Sequence, residues 1–229
     1  MVNDFVIPNK NEQTAEQHRG RHFQIFYEVD QGVYLIKDLG VGYGVFVRQE
    51  HPIQLKDNML INVGEAYIVV NIIYGCLIQQ DQDLQQHFKD AYSRQGAHQQ
   101  LHLPEDLDVH ADDNTYKLKL KIFGGPSAGE IYYYKEDFDG QTIVIGRTPE
   151  CNIRINDKLL SKSQASVSFS PEQSSWILTD GLNGKPSTNG TWLYLNENFE
   201  MHPGMIFKAN QTIFHVDLSS AQMTSRHEQ

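Results

Sequence analysis

The sequence predicts an all-β protein built as two β-sandwiches, the first incomplete, joined by a glutamine-rich helical connector. Three observations predict it. From about Gly124 onward, short apolar runs such as "EIYYY", "QTIVIG", "ASVSF", "SWILTD" and "TWLYL" alternate with turn segments such as "DFDG", "SPEQS" and "HPG". β-Branched and aromatic runs at that spacing read as the strands of a sandwich. Residues 79–102 differ: glutamine is abundant, and Leu84, Phe88 and Tyr92 recur at i, i+4 and i+8, the spacing of one helical face. Finally, the two ends of the chain repeat one another.

The repeat sets the organisation. "LKDNMLINVGEAYIVVNI" (55–72) lies over "MHPGMIFKANQTIFHVDL" (201–218) without a gap, apolar on apolar. "VYLIKDLG" likewise matches "SWILTDGL", and "DFVIPNK" matches "NIRINDK", all at offsets of about 142 to 148 residues. The expected domains are a partial, degenerate sandwich over 1–75, a helical connector with an acidic loop over 76–115, a nearly complete sandwich over 116–220, and a polar tail over 221–229. "YKLKLKIF" supplies the opening strand of the second sandwich, its lysines forming one solvated face. No residues before Asp4 correspond to 117–150, so the first copy lacks its opening strands. An incomplete sandwich leaves an apolar face and an unpaired edge, which either the second copy or another chain, as in a large assembly, should cover.

Composition narrows the function. Nineteen Lys and Arg stand against 29 Asp and Glu, a formal charge of −10. A duplex binder held by many phosphate contacts carries the opposite balance, so nucleic acid is not the expected partner. Cys76 and Cys151 do not make a disulfide framework. The longest apolar run, "AYIVVNIIYGCLI", has 13 residues, too few to cross a bilayer, and the N-terminus has no leader pattern. A soluble, intracellular protein without membrane insertion is expected. His87, His98 and His102 lack cysteine partners or a His-Glu-x-x-His frame, so no metal or cofactor is expected. No nucleophile elbow, Walker loop or Gly-x-Gly-x-x-Gly helix start is present, and Asp112-Asp113 sit in a polar stretch. The chain is expected not to be an enzyme.

One constellation carries chemistry. "GRTPECNIRINDKLLSKSQASVSF" (146–169) puts Gly146-Arg147 at a strand end and Ser161-Lys162 after one further short strand. "W-x-L-x-D" and then Ser187-Thr188-Asn189-Gly190-Thr191 follow. In this order the segments resemble the forkhead-associated (FHA) domain over residues 117–218. The resemblance implies a β-sandwich that binds phosphothreonine peptides through loops at one end. A phosphate dianion offers three acceptor oxygens and needs a fixed cation with convergent donors. Arg147 offers a planar, permanently charged fork, Ser161 a hydroxyl and Lys162 a second cation. By resemblance, Thr188 turns toward the phosphate and Asn189 holds the peptide backbone, while Gly146, Gly190 and Thr191 shape the loops.

Two departures stand out. Gln164 occupies the position of a family histidine that braces the loop, and its amide is expected to brace more weakly. "GLNGKP" (181–186) lengthens the loop before Ser187 and adds Lys185. The first copy keeps His22 at the bracing position and Gly44 in its turn, but Arg19 and Gly20 replace Ser-Lys, Tyr43 the asparagine and Val45 the threonine. It is expected to be an interaction scaffold that binds no phosphate. The resulting expectation is an adaptor whose partner is a phosphorylated protein or peptide. The rival is a non-catalytic structural subunit that keeps the fold and has lost phosphate binding.

Overall fold

The computed structural model describes residues 20–73, 117–135 and 142–218. Every regular element among them is a β-strand, as the alternating patterns predict. The helix expected within the 76–115 connector, its acidic loop and the tail from 221 lie outside the described residues.

The chain divides into two compact units, one of Met1–Val47 with Leu195–Gln229 and one of Arg48–Tyr194. The first contains β1 (Phe23–Glu28), β2 (Val33–Asp38) and β3 (Val45–Arg48, whose last residue opens the other unit). The second contains β4 (Ile53–Gln54), β5 (Leu60–Val63), β6 (Ala66–Ile72), β7 (Leu118–Phe123) and β8 (Ile131–Tyr134). To these it adds β9 (Ile143–Gly146), β10 (Ile153–Arg154), β11 (Ala165–Ser170), β12 (Ser175–Asp180) and β13 (Trp192–Tyr194). The chain then returns to the first unit with β14 (Phe199–Glu200), β15 (Ile206–Ala209) and β16 (Thr212–His215).

In the larger unit, strands run in the order β10–β9–β11–β12–β4 and in the order β13–β5–β6–β7–β8. One core joins both sets: Ile68, Leu120 and Ile122 from the second meet Ile143, Val167 and Leu178 from the first. In β7, Leu118, Leu120 and Ile122 are wholly buried while Lys119 and Lys121 are only half-buried, the period of two read from the sequence. The smaller unit pairs β1–β2–β14 and β16–β15–β3 around Ile36, Val45, Met205 and Phe207. Phe207 stacks on Phe214 at 4.7 Å, and Phe23 meets both rings edge-on at 5.4 Å.

The pairing differs from the expectation that each half pairs within itself. β4, β5 and β6, from residues 53–72, pair with β12, β13 and β7. β14 and β15, from the other end of the chain, pair with β2 and β3. The two sets share one register. Phe23 faces Asp38 and Ala165 faces Asp180, each partner displaced by 142. Ile53 faces Leu178 and Phe199 faces Ile36; Asn62 faces Trp192 and Lys208 faces Phe46. From the first half to the second, Ile53 to Phe199, Asn62 to Lys208 and Phe46 to Trp192 are all displaced by 146. Among the described strands β16 pairs only with β15, whereas its counterpart β6 also pairs with β7.

Two outcomes follow from this core. Ile68→Ala deletes a side chain with 0% exposure and should cost about 2–5 kcal/mol of stability in denaturant titrations read by Trp176 and Trp192, which lie in the same unit. Lys208, in the smaller unit, stands over the Phe46 ring at 5.4 Å, and burial pushes its amine down to about 8 from 10.5. Between those values the unfolded chain holds a proton that the folded unit has released. Lys208 should therefore make this unit more stable as pH rises through that window, measured by amide exchange protection in β15.

Candidate functional site

The expected site residues lie on three loops of the larger unit. Gly146 ends β9 and is followed by Arg147; Ser161 and Lys162 precede β11; Thr188, Asn189 and Gly190 precede β13. The first two loops are brought close by glycine. A Cβ on Gly146 would lie 2.2 Å from the Lys162 carbonyl oxygen, so only glycine lets these backbones pass. Arg147 N–H donates to Ser161 O at 3.3 Å, and Cys151 Sγ donates to Lys162 O at 3.1 Å.

Direct bonds join the second and third loops. Thr188 N–H donates to Ser161 Oγ at 2.8 Å, and that hydroxyl donates to Thr188 Oγ1 at 3.2 Å. Asn189 Nδ2 donates to Leu159 O at 2.6 Å, and Trp192 Nε1 donates to Asn189 O at 3.0 Å. Ser161 and Thr188 are thus one hydroxyl pair at the surface.

Gln164 lies beneath them with 0% exposure. Its Oε1 accepts from Ser161 N–H at 3.0 Å, and its Nε2 donates to Ser187 Oγ at 2.8 Å and to Gly190 O at 2.9 Å. Gln164 thus braces both loops through three hydrogen bonds. A glutamine amide has two donors and an acceptor pointing in fixed directions, and all are used. Asp180, at the end of β12, completes the frame. It accepts from Ser187 N–H at 2.9 Å, Ser187 Oγ–H at 2.7 Å and Thr191 Oγ1–H at 2.7 Å. The segment 181–186 closes as a tight turn with a Leu182–Lys185 bridge and leaves Lys185 exposed.

Above this buried frame, Arg147 and Lys162 are exposed. Both line an open depression of about 290 Å³ together with Thr148, Asn156 and Lys158. Among the described residues, the Arg147 guanidinium makes no hydrogen bond or ion pair. Glu150 is beside this rim; a hydrogen bond from Thr148, its own backbone amide and then Lys162 and Arg154 hold its carboxyl below the usual range. Exposed cations on loops that neighbour a surface hydroxyl pair are suited to an external anion.

The smaller unit has the same turn with other side chains. His22, displaced by 142 from Gln164, accepts through its backbone carbonyl from Leu39 N–H at 3.0 Å, as Gln164 O does from Gly181 N–H at 2.9 Å. Gly44 and Gly190 share left-handed φ values of 83° and 77°. Asp38 accepts from the backbone N–H groups of Gly40 and Val45, and burial raises its pKa. Gly42, Tyr43 and Val45 stand where the larger unit has Thr188, Asn189 and Thr191.

With these loops in view, the comparison with known families is decisive for one stretch. Residues 143–222 match the family model of the FHA domain. No curated protein and no solved structure matches the chain. FHA domains are non-catalytic interaction modules that bind phosphothreonine in proteins and peptides. The matched stretch contains all five expected binding residues and none of the strands before β9, and it runs on through β14, β15 and β16. Outside the match, no helix among the described residues is long and apolar enough to cross a membrane.

Sequence reasoning missed Asp180, Ser187 and Asp157. Asp180 and Ser187 lay inside quoted motifs, so their polar identity at a strand end was the available signal. Asp157 gave none, because its partner Glu65 N–H, at 2.9 Å, lies 92 residues away. Gln164→Leu should keep the fold but strand Ser161 N–H and loosen both loops, costing about 1–3 kcal/mol for each buried group left without a partner, read as a lowered Tm.

Proposed function

We propose that this chain is a phosphothreonine-peptide-binding adaptor that reads its partner through the C-terminal FHA segment. Arg147 and Lys162 neutralise the phosphate, Ser161 and Thr188 add hydroxyl donors, and Asn189 turns from Leu159 O to the peptide backbone. The observation that carries this reading is an open depression lined by Arg147 and Lys162 in an FHA segment whose neighbouring loops hold the Ser161–Thr188 hydroxyl pair. Residues 1–75 are a degenerate copy of the same repeat, supported by the shared registers of β1–β2 and β11–β12. That copy lacks the arginine, serine and asparagine, and the smaller unit, which joins its first strands to β14, β15 and β16, acts as an interaction scaffold whose partner pairs with the β16 edge.

A charge-assisted hydrogen bond contributes about 1.5–3 kcal/mol, so Arg147→Ala should weaken binding at least about tenfold. The measurement is calorimetric titration of the full chain with a degenerate phosphothreonine peptide library and its unphosphorylated twin. Binding confined to the phosphorylated library and weakened by Arg147→Ala is the expected result. Equal or undetectable binding to both libraries would leave the FHA segment as a purely structural element.

A further inference from the structure

The FHA match runs through residue 222, so by sequence β14, β15 and β16 belong with the loops of residues 146–191. In space they do not. They lie in the smaller unit, and the larger unit, which carries those loops, contains β4, β5 and β6 instead. The substitution is residue for residue. Asn62 meets Trp192 as Lys208 meets Phe46, and Ile61 faces Ile68 in one hairpin as Phe207 faces Phe214 in the other.

We propose that the reading unit is a composite: residues 48–72 of the N-terminal half close it, in the place that the chain's own residues 194–218 would take in a self-contained domain. The two hairpins have changed places within one chain.

The hairpin turn shows why this occupant is preferred. Gly64 and Asn210 hold the equivalent turn position, with left-handed φ values of 57° and 56°. A Cβ on Gly64 would lie 2.2 Å from Asp157 Oδ2 and 3.1 Å from Leu160 Cδ2. Asn210 carries that Cβ, and in the smaller unit it is exposed, where the atom has room. Asp157 cannot easily yield. It is 7% exposed and accepts from Glu65 N–H at 2.9 Å and from Leu159 N–H at 2.8 Å. The close approach that glycine permits is therefore the same contact that moors the loop leading to Ser161.

The other loop rests on the same segment. Gln49 N–H donates to Thr191 O at 2.8 Å, and Arg48 lies flat against Gly190, its Nε 2.7 Å from where a Cβ would stand. Both loops proposed to read the phosphopeptide thus stand on residues from the other half of the chain. The inference rests on the proposed reading only for its functional meaning; the exchange is a matter of strand pairing.

The test is disulfide trapping in the full chain with Cys76→Ser. Asn71 and Lys119 are register partners in β6–β7. In a self-contained second half, Lys119 would face Asp217, the residue displaced by 146 from Asn71. The double variant Asn71→Cys with Lys119→Cys should oxidise to a monomeric, internally linked species, and Lys119→Cys with Asp217→Cys should not. The exchange is overturned by the reverse pattern, or by an Asn71→Cys link that forms only between two chains on a non-reducing gel. As a second readout, Gly64→Ala should lower the melting temperature by several degrees while Asn210→Gly leaves the larger unit unchanged. Equal effects from the two would also overturn it. A chain that traps as expected yet binds no phosphopeptide would remove the reading function and leave the composite standing.

Discussion

A buried primary amide must find partners for two donors and an acceptor or cost the fold several unmade hydrogen bonds, and the larger unit is arranged around one such group. Gln164 satisfies itself only when the backbone of Ser161, the hydroxyl of Ser187 and the carbonyl of Gly190 converge. Those three atoms belong to the two loops that carry the exposed hydroxyls and the asparagine. Asp180 repeats the logic one layer away, holding Ser187 and Thr191 through three bonds to one carboxylate. The surface chemistry at Ser161 and Thr188 is thus fixed from below. It needs no ligand to assemble it.

The same frame explains why the loops depend on distant chain. Thr191 O is paired by Gln49 N–H. Asp157 lies upstream of Ser161 and is paired across to Glu65. A composite unit closes a long loop before these contacts form, an entropic cost that grows only slowly with loop length. The stabilisation it gains is a continuous core in which Ile61, Ile68 and Val70 meet Leu120 and Ile145, all at 1% exposure or less.

What was legible in the sequence was whatever is local. Alternation in "YKLKLKIF" gave β7 and its buried face, and short apolar runs with turn residues between them gave β9, β11 and β12. The ordered motifs gave Arg147, Ser161, Thr188 and Asn189, which do stand on neighbouring loops. The 55–72 and 201–218 match gave two equivalent hairpins, but equivalence is the very reason that sequence could not say which hairpin pairs with which strands. Apolar alternation fits both slots equally. The discriminating feature is a single Cβ, absent at Gly64 and present at Asn210, against a carboxylate 92 residues away from its partner, and no periodicity encodes that. The partners of Gln164 were hidden for the same reason: Ser187 and Gly190 are 23 and 26 residues distant.

The two units hold one and the same turn in two different ways. Asp38 and Asp180 both cap the turn that follows their strand, and Gly44 and Gly190 both take the left-handed conformation there. Asp38 does this through backbone N–H groups alone, so Tyr43 and Val45 can stand where the larger unit has Asn189 and Thr191 without breaking the turn. Asp180 accepts from one backbone N–H and two side-chain hydroxyls, which ties the identity of Ser187 and Thr191 to the geometry. Burial raises the Asp38 carboxyl toward its neutral form, with only backbone donors and His22 opposing. A turn held by backbone tolerates drift at its side chains. One held through hydroxyls does not, and in this chain it is the second kind that stands beside the exposed Arg147.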